Sequence, residues 1–462
     1  MVGITAYGAY IPMLRLALGK PGGPERAVAN WDEDSVTMAV AAATDCLRGS
    51  ERSAVDAVFF ASTSYAFKEK QGAAIIAKAL DLRRDVLTTD FGDSLRAGTN
   101  ALRAAIDAVK AGSFQRVLVV ASDVRMAAPR SALEANLGDG AAAFLVGAGE
   151  VALGLVASHS VTDEIIDVWR AEGDQFIHAW EDRFVVDHGY RAVVQEAVKA
   201  LLQKSGFSRK DFTRVALYGP DARSHASAMR ELGFDAQTQA QEPLFGRVGN
   251  TGAAFAPLLL AAAAEQAKTG QRLLLVSYGD GADALVFETT PQVERLEARR
   301  GVAWHLQRRA DFPSYDMYLR FRQMIATEHD RRAGAGLSAT KHFRDRDSDV
   351  SLHAQKCKRC GTTQFPHQRV CFKCFAKDEF TTVRLSDKIG TVKSFTFDNF
   401  AGSPNPPLVA GIVDVEGARL YIQMTDVSAK EVKLAMPVEL TFRKIHEAGG
   451  TPNYFWKSTP VR

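Results

Sequence analysis

The chain has 462 residues, 46% of them hydrophobic and 24% charged, with 57 lysines and arginines set against 54 aspartates and glutamates for a formal net charge of +3. This length is too great for one core and suits two or three globular domains, while the composition excludes a disordered or collagen-like chain. The near-balance of charge argues against a general nucleic-acid binder and leaves room only for a local basic patch facing a phosphorylated cofactor.

In chain order, the opening stretch MVGITAYGAYIP lacks a basic leader and reads as a strand and turn, so no secretory signal is expected. Cys46 follows on a helix, sharing an apolar face with Val36, Val40, Ala43 and Leu47, and is expected to be buried and inert. Through residue 290 the rhythm is a helix followed by an unbroken apolar run. Ala101 to Lys110 leads into RVLVVASD, and Pro257 to Lys268 leads into RLLLVSYGDG. Apolar runs without alternation are strands covered on both faces, which predicts a layered α/β fold. The longest apolar run, Ala253 to Ala264, contains Pro257 and is well short of the roughly 20 residues that span a bilayer.

The pattern also repeats. Gly98-Thr99, a helix, a glycine, Arg116 and a strand are echoed by Gly249-Asn250-Thr251, a helix, Gly270, Arg272 and a strand; GDGAAAFLVG from Gly138 is echoed by GDGADALVFE from Gly279. Two related halves packed back to back are expected, about 1–150 and 151–326. Residues 327–350, TEHDRRAGAGLSATKHFRDRDSDV, are polar without sustained periodicity and read as a linker.

Cys357, Cys360, Cys371 and Cys374 then form a Cys-x-x-Cys pair repeated after ten residues, the spacing that a tetrahedral zinc ion takes from two tight turns. Rubredoxin-type iron is the alternative, disfavoured by the ten-residue gap and by the absence of Cys-Pro in either knuckle. Four thiolates close the coordination sphere, so the metal is structural, and it folds a ribbon (351–376) too small for a core. With Cys46 alone left over, no disulfide framework is expected and the cytoplasm is the expected compartment. Beyond the ribbon, TVKSFTF, LVAGIVDV, RLYIQMTD and PVELTFRKI alternate between glycine and proline turns, as in a small all-β barrel of the OB type over 377–462.

The segments TAYGAYIPMLRL, DEDSVTMAV, LRAGTNALRAAIDAVKAG, ASDVRMAAP, VWRAEGDQF, DHGYRAVVQEAVKALL, RVGNTGAAFAP and SYGDGADA resemble, in order, the 3-hydroxy-3-methylglutaryl-CoA synthase family of the thiolase superfamily, particularly its archaeal branch. The resemblance covers about residues 1 to 325. The remainder resembles the DUF35 module, a zinc ribbon joined to an OB fold that accompanies thiolase-like enzymes. The resemblance implies a duplicated αβαβα fold, a CoA thioester as substrate, a homodimer, and a possible thiolase partner.

It also implies a catalytic cysteine at the N-terminus of a buried helix, where backbone amides favour the thiolate. Anchored on Ala97-Gly98-Thr99, the cysteine's position falls on Leu95, which cannot be acylated. Neighbouring Ser94 has a hydroxyl, and its plain reading is a turn or cap residue. The family's histidine corresponds to Tyr218 and its acidic residue to Thr63. Asn250 persists, and in related ketoacyl synthases the equivalent asparagine helps bind the thioester oxygen. Tyr218 is expected as acid/base, the alternative being a tyrosine that lines an acyl pocket. Tyr65, Tyr278 and Asp280 fall near the expected pocket, His178 and His188 near its entrance, and Arg183, Lys204 and Arg223 are basic residues available to CoA phosphates; none of these is assigned a role.

Three functions remain open. The first is a carbon–carbon lyase that cleaves a 3-hydroxyacyl-CoA through a thioester enolate. The second is a condensing synthase of the parental type, and the third a non-catalytic acyl-CoA scaffold for a thiolase.

Overall fold

The computed structural model describes residues 1–462 except 21, 297, 326–337, 402 and 449. The chain forms two compact units, one comprising Met1–Asn30, Asp34–Ala77 and Leu82–Tyr315, the other Trp31–Glu33, Lys78–Asp81 and Asp316–Arg462.

The first unit is built on nine strands: β1 (Val2–Tyr10), β2 (Ala57–Ala61), β3 (Leu87–Phe91), β4 (Arg116–Asp123), β5 (Gly140–Ala148), β6 (Leu153–Thr162), β7 (Arg214–Leu217), β8 (Arg272–Tyr278) and β9 (Gly281–Thr289). Their order is β7-β8-β9-β6-β1-β5-β4-β2-β3. The echo seen in the sequence becomes a topological repeat. Each half runs outward from its first strand (β1 or β6) through an antiparallel hairpin (β5-β4 or β9-β8) to a parallel neighbour (β2 or β7). The halves are joined edge to edge, through the pairs Gly3↔Gly154 and Ile4↔Leu153.

Four helices matter to the site: α1 (Ser35–Cys46), α2 (Ala97–Lys110), α3 (Ala192–Ser205) and α4 (Phe255–Glu265). Helix α1 is started by a capping box between Asp34 and Thr37, and its Cys46 is fully buried, its thiol pushed up to about 12 by burial. Helix α4 is apolar all round and buried from Phe255 to Ala264, which is why it sits inside the core rather than on a face. Pro257 is its third residue, where a missing N–H costs nothing. Helices α2 and α4 touch at their N-termini: a Cβ on Gly98 would fall 2.4 Å from the Ala253 carbonyl oxygen. Among the described residues, no helix is long and apolar enough to cross a membrane.

In the second unit, part of the expected linker is a helix, α5 (Ala339–Asp349). Its polar sequence hid it, since the apolar face is short and only Ser348 is buried. Residues 327–337 of that linker lie outside the described residues. Strands β10 (His353–Cys357), β11 (Thr363–Gln364) and β12 (Phe380–Arg384) form the ribbon. Five further strands follow, β13 (Gly390–Asp398), β14 (Leu408–Val415), β15 (Ala418–Gln423), β16 (Pro437–Ala448) and β17 (Thr451–Pro460), in the order β15-β14-β13-β16-β17. A parallel bridge from Met424 to Ser458 joins the two ends and closes the sheet into the Greek-key barrel of an OB fold. The fifth strand, with prolines at both ends and polar residues inside, carried no clear signal in the sequence.

Candidate functional site

A cavity of about 380 Å³ opens in the first unit where the ends of β2, β4 and β8 meet the start of α2. Its wall is formed by the 62–65 loop, Asp93-Ser94-Leu95, Val124-Arg125, a segment from Ile165 to Ile177, and Gly279-Asp280. Leu95 is therefore on the wall, 7% exposed, directly ahead of α2. The turn holding it is tight: a Cβ on Gly279, whose φ is +152°, would meet the Leu95 Cβ and backbone nitrogen at 2.9 Å. Ser94 also faces the cavity, but its hydroxyl donates to the Gly279 carbonyl at 3.1 Å and accepts from the Arg96 amide at 3.4 Å, the bonding of a turn residue.

Thr63 lies on the wall as well, governed by Asp123 at the end of β4, which is fully buried. Asp123 accepts from the Ser62, Thr63 and Ser64 hydroxyls at 2.9, 3.0 and 2.7 Å, and from the amides of Thr63 and Ala253 at 2.7 Å each. Five donors satisfy a carboxylate that burial alone would penalise. They tie the first half's loop to the turn that begins α4 in the second half.

Tyr218 and Asn250 meet behind the wall rather than on it. Tyr218 is 2% exposed, in a ring cluster with Tyr190, Tyr278 and Phe255. Burial pushes its phenol up to about 12, while the Arg125 guanidinium and a hydrogen bond to the Asn250 side chain pull the other way. Asn250 Nδ2 donates to the Gly219 carbonyl at 2.9 Å and its Oδ1 accepts from the Gly252 amide at 2.8 Å. Tyr278 is 1% exposed, and burial and then Asp167 push its hydroxyl up further than that of Tyr218. Tyr65 lines the cavity, its hydroxyl donating to the Phe91 carbonyl at 2.5 Å, and Asp280 lines it from a left-handed turn.

His178 is half exposed, stacked on Trp169 and 3.2 Å from Asp174, and His188 packs on Phe184; neither lines the cavity. Arg183, Lys204 and Arg223 are exposed and also lie away from it. The cations actually on the wall are Arg125 and Arg170, which sequence reasoning missed along with Asp123 and Asp167. Asp123 had a signal: it ends the quoted run RVLVVASD, and ligands gather at the carboxyl ends of strands in α/β sheets.

The four ribbon cysteines converge in the second unit, with all Sγ atoms within 4.8 Å of one another. Cys357–Cys374 and Cys360–Cys371 are each 3.6 Å apart, close to the roughly 3.8 Å edge of a tetrahedron with zinc–sulfur bonds of about 2.3 Å. The knuckles are alike. The Gly361 amide donates to Cys357 and the Phe375 amide to Cys371, and both donors have positive φ, 72° and 60°. The donor set fits zinc held structurally, with no position open to substrate.

Compared with curated proteins, the chain is 30% identical to the hydroxymethylglutaryl-CoA synthase of Archaeoglobus fulgidus over 344 residues, 70% of this chain and 99% of that one. The chain belongs to the hydroxymethylglutaryl-CoA synthase family. The enzyme of the same name from Methanocaldococcus jannaschii is 29% identical over the same shares. Residues 202–287 match the family model described as 3-oxoacyl-[acyl-carrier-protein] synthase III C terminal, and residues 351–380 that of the ChsH2 rubredoxin-like zinc ribbon domain. Among solved structures, MvaS in complex with 3-hydroxy-3-methylglutaryl coenzyme A has a TM-score of 0.63 at 22% identity, covering 72% of this chain and 94% of that one. The curacin-pathway HMG synthase in complex with acetyl donor-ACP has the same score at 19% identity, covering 83% and 99%. At these identities the solved structures speak to the fold alone, and the fold is thiolase-like. The hydroxymethylglutaryl-CoA synthase family works on CoA thioesters.

Proposed function

We propose that this protein is a CoA-thioester carbon–carbon lyase that cleaves a 3-hydroxyacyl-CoA by a retro-aldol reaction, with no acyl-enzyme. One observation carries the reading: the cavity wall ahead of α2 presents the hydrocarbon Leu95, and the adjacent Ser94 hydroxyl is spent on a turn. A cavity of this kind can hold a thioester but offers it no nucleophile there, and an enolate pathway needs none.

In the cleavage direction the β-hydroxyl proton passes to a carboxylate on the wall, Asp167 being the one whose charge reaches Tyr218. The bond between the α- and β-carbons breaks, its electron pair moves into the thioester as an enolate, and the aldehyde or ketone departs. A phenol then protonates the α-carbon. Tyr218 suits this step because burial keeps it protonated at neutral pH, while Arg125 and Asn250 stabilise the phenolate left behind. The acyl end must pass Arg125 to meet it. Asn250 acts here as the residue that positions Tyr218. The cytoplasm, a homodimer and a thiolase partner belong to the same proposal, on cysteine usage and family resemblance.

The test is incubation with 3-hydroxyacyl-CoA thioesters. Release of aldehyde or ketone without an acyl-enzyme burst, lost in Tyr218→Phe, supports the lyase; unchanged turnover in that variant removes Tyr218 from the mechanism. A condensing synthase is the second reading, favoured by the 30% identity over 99% of the archaeal enzyme, and radioactive acetyl-CoA leaving stable label on the native chain selects it. Binding of CoA esters without turnover, with co-purification of a thiolase, selects the scaffold.

A further inference from the structure

Three hydroxyls donate to Asp123, and they differ in what their oxygens still accept. Ser62 Oγ accepts from the Ser64 amide at 3.0 Å, and Ser64 Oγ accepts from the Val124 amide at 2.9 Å. Among the described residues no donor reaches Thr63 Oγ1, although its single proton is committed to Asp123 at 3.0 Å. A hydroxyl has one proton and two lone pairs. Thr63, a residue of the cavity wall, therefore keeps its hydroxyl as an acceptor only.

It is also immobile. Its amide donates to the other oxygen of Asp123 at 2.7 Å, and its carbonyl accepts from Arg170 Nη2 at 2.6 Å, so every polar group of the residue except those lone pairs is anchored. Ser94, the other uncharged hydroxyl ahead of α2, has both its proton and an acceptor site in use. Each serine hydroxyl of the wall thus has an acceptor site in use, whereas Thr63 has none, and Thr63 shares the wall with the Leu95 hydrocarbon and the Arg125 and Arg170 cations.

We infer that Thr63 is the specificity-determining residue of the cavity, accepting a hydrogen bond from the 3-hydroxyl of the acyl group and so selecting 3-hydroxyacyl thioesters over their 3-oxo and 3-deoxy counterparts. On binding, a hydroxyl donates into the lone pairs, and it turns its one proton from Thr63 to the wall carboxylate only for cleavage. A ketone offers only lone pairs of its own, and a methylene offers nothing, leaving the acceptor dry and unpaired; either loss is worth about tenfold in binding. The inference rests on the lyase reading, which supplies the class of substrate.

The experiment measures equilibrium binding of 3-hydroxybutyryl-CoA, acetoacetyl-CoA and butyryl-CoA to the full chain by calorimetry, with aldehyde release followed in the same samples. The native protein is expected to favour the hydroxy ester about tenfold over both others. Thr63→Ser, which keeps the hydroxyl, is expected to retain that ratio, and Thr63→Val to bring it near one while still binding the other two. Absence of the preference in the native chain, or its persistence in Thr63→Val, overturns the inference. Preference without aldehyde release leaves the inference standing and sinks the lyase reading instead. Should Thr63→Val fail to fold, the native and Thr63→Ser ratios still decide.

Discussion

Asn250 bridges two turns from opposite halves of its own side chain, donating to the Gly219 carbonyl at 2.9 Å and accepting from the Gly252 amide at 2.8 Å. It thereby fixes the residue after Tyr218 against the start of the turn that precedes α4. Replacement by alanine leaves both backbone groups buried and unpaired, each at a cost of about 1–3 kcal/mol. Asn250→Ala is therefore expected to lower the urea midpoint and, by removing a donor to the phenolate, to move Tyr218 titration to higher pH. Spectrophotometric tyrosine titration against Tyr218→Phe reads the second effect. An unshifted titration means that Asn250 does not position the phenol.

Leu95→Cys places a thiol at the mouth of α2, where helix-end amides favour the thiolate. Radioactive acetyl-CoA is expected to leave stable label on this variant and none on the native chain. Loss of the leucine side chain costs about 1–2 kcal/mol of stability, well within what such a core tolerates. Label on the native protein instead would place the nucleophile at Ser94 or elsewhere.

Zinc removal should act on the ribbon. One zinc per chain is expected by elemental analysis, and stripping it by chelator should expose residues 351–380 to protease, since four thiolates without metal leave this segment almost no core. Cys371→Ser, altering a fully buried ligand, should do the same without chelator. Full protease resistance after metal loss would show that the ribbon folds by packing alone.

Acid should destabilise the first unit. Burial holds the His225 imidazole down to about 4 and pushes His305 in the same direction. A depressed histidine is neutral when folded but takes a proton when unfolded below its usual pH of about 6.5. The stability it contributes is thus complete above that pH and lost as pH falls toward 4. For His225 this amounts to about 3 kcal/mol. Urea midpoints measured between pH 7 and 4 should fall steeply, and less so in His225→Leu; identical slopes would remove His225 as a cause.

Five buried charges stand together in the second unit. Lys457 Nζ lies 2.9 Å from Asp32 and 4.1 Å above the Trp31 ring, and Arg443 Nη2 lies 2.9 Å from Glu33 and 3.0 Å from Asp426. Lys457→Met takes away the closest cation to Asp32 and leaves it Arg443 Nε alone, at 3.7 Å, at a cost of about 3–5 kcal/mol. Adding Asp32→Asn should recover part of the loss in urea unfolding. A second change that costs as much again would mean that the two residues do not interact.

Much of this was legible in residues 357–374 and in the repeated helix–strand phrases, because ligand spacing and apolar periodicity are local. The place of Leu95 just ahead of a helix was legible in the same way, from the Ala-Gly-Thr beside it. Helix α5 was not legible, since its sequence is polar on nearly every face, and neither was β17, whose prolines disguise a strand. Asp123 and Arg170 escaped notice for a different reason: each acts on residue 63 from 60 and 107 positions away, a separation that no local pattern reports.

The amino-acid order alone determined the layered duplication, the metal knuckles and the absence of sulfur ahead of α2, all matters of which residue stands beside which. Only the tertiary structure decided that Ser94 is spent on Gly279, that Tyr218 sits behind the wall rather than on it, and that Thr63 keeps its lone pairs but not its proton. Such facts belong to hydrogen bonds between distant segments, and a hydrogen bond's direction exists only once the chain has folded to bring donor and acceptor within reach.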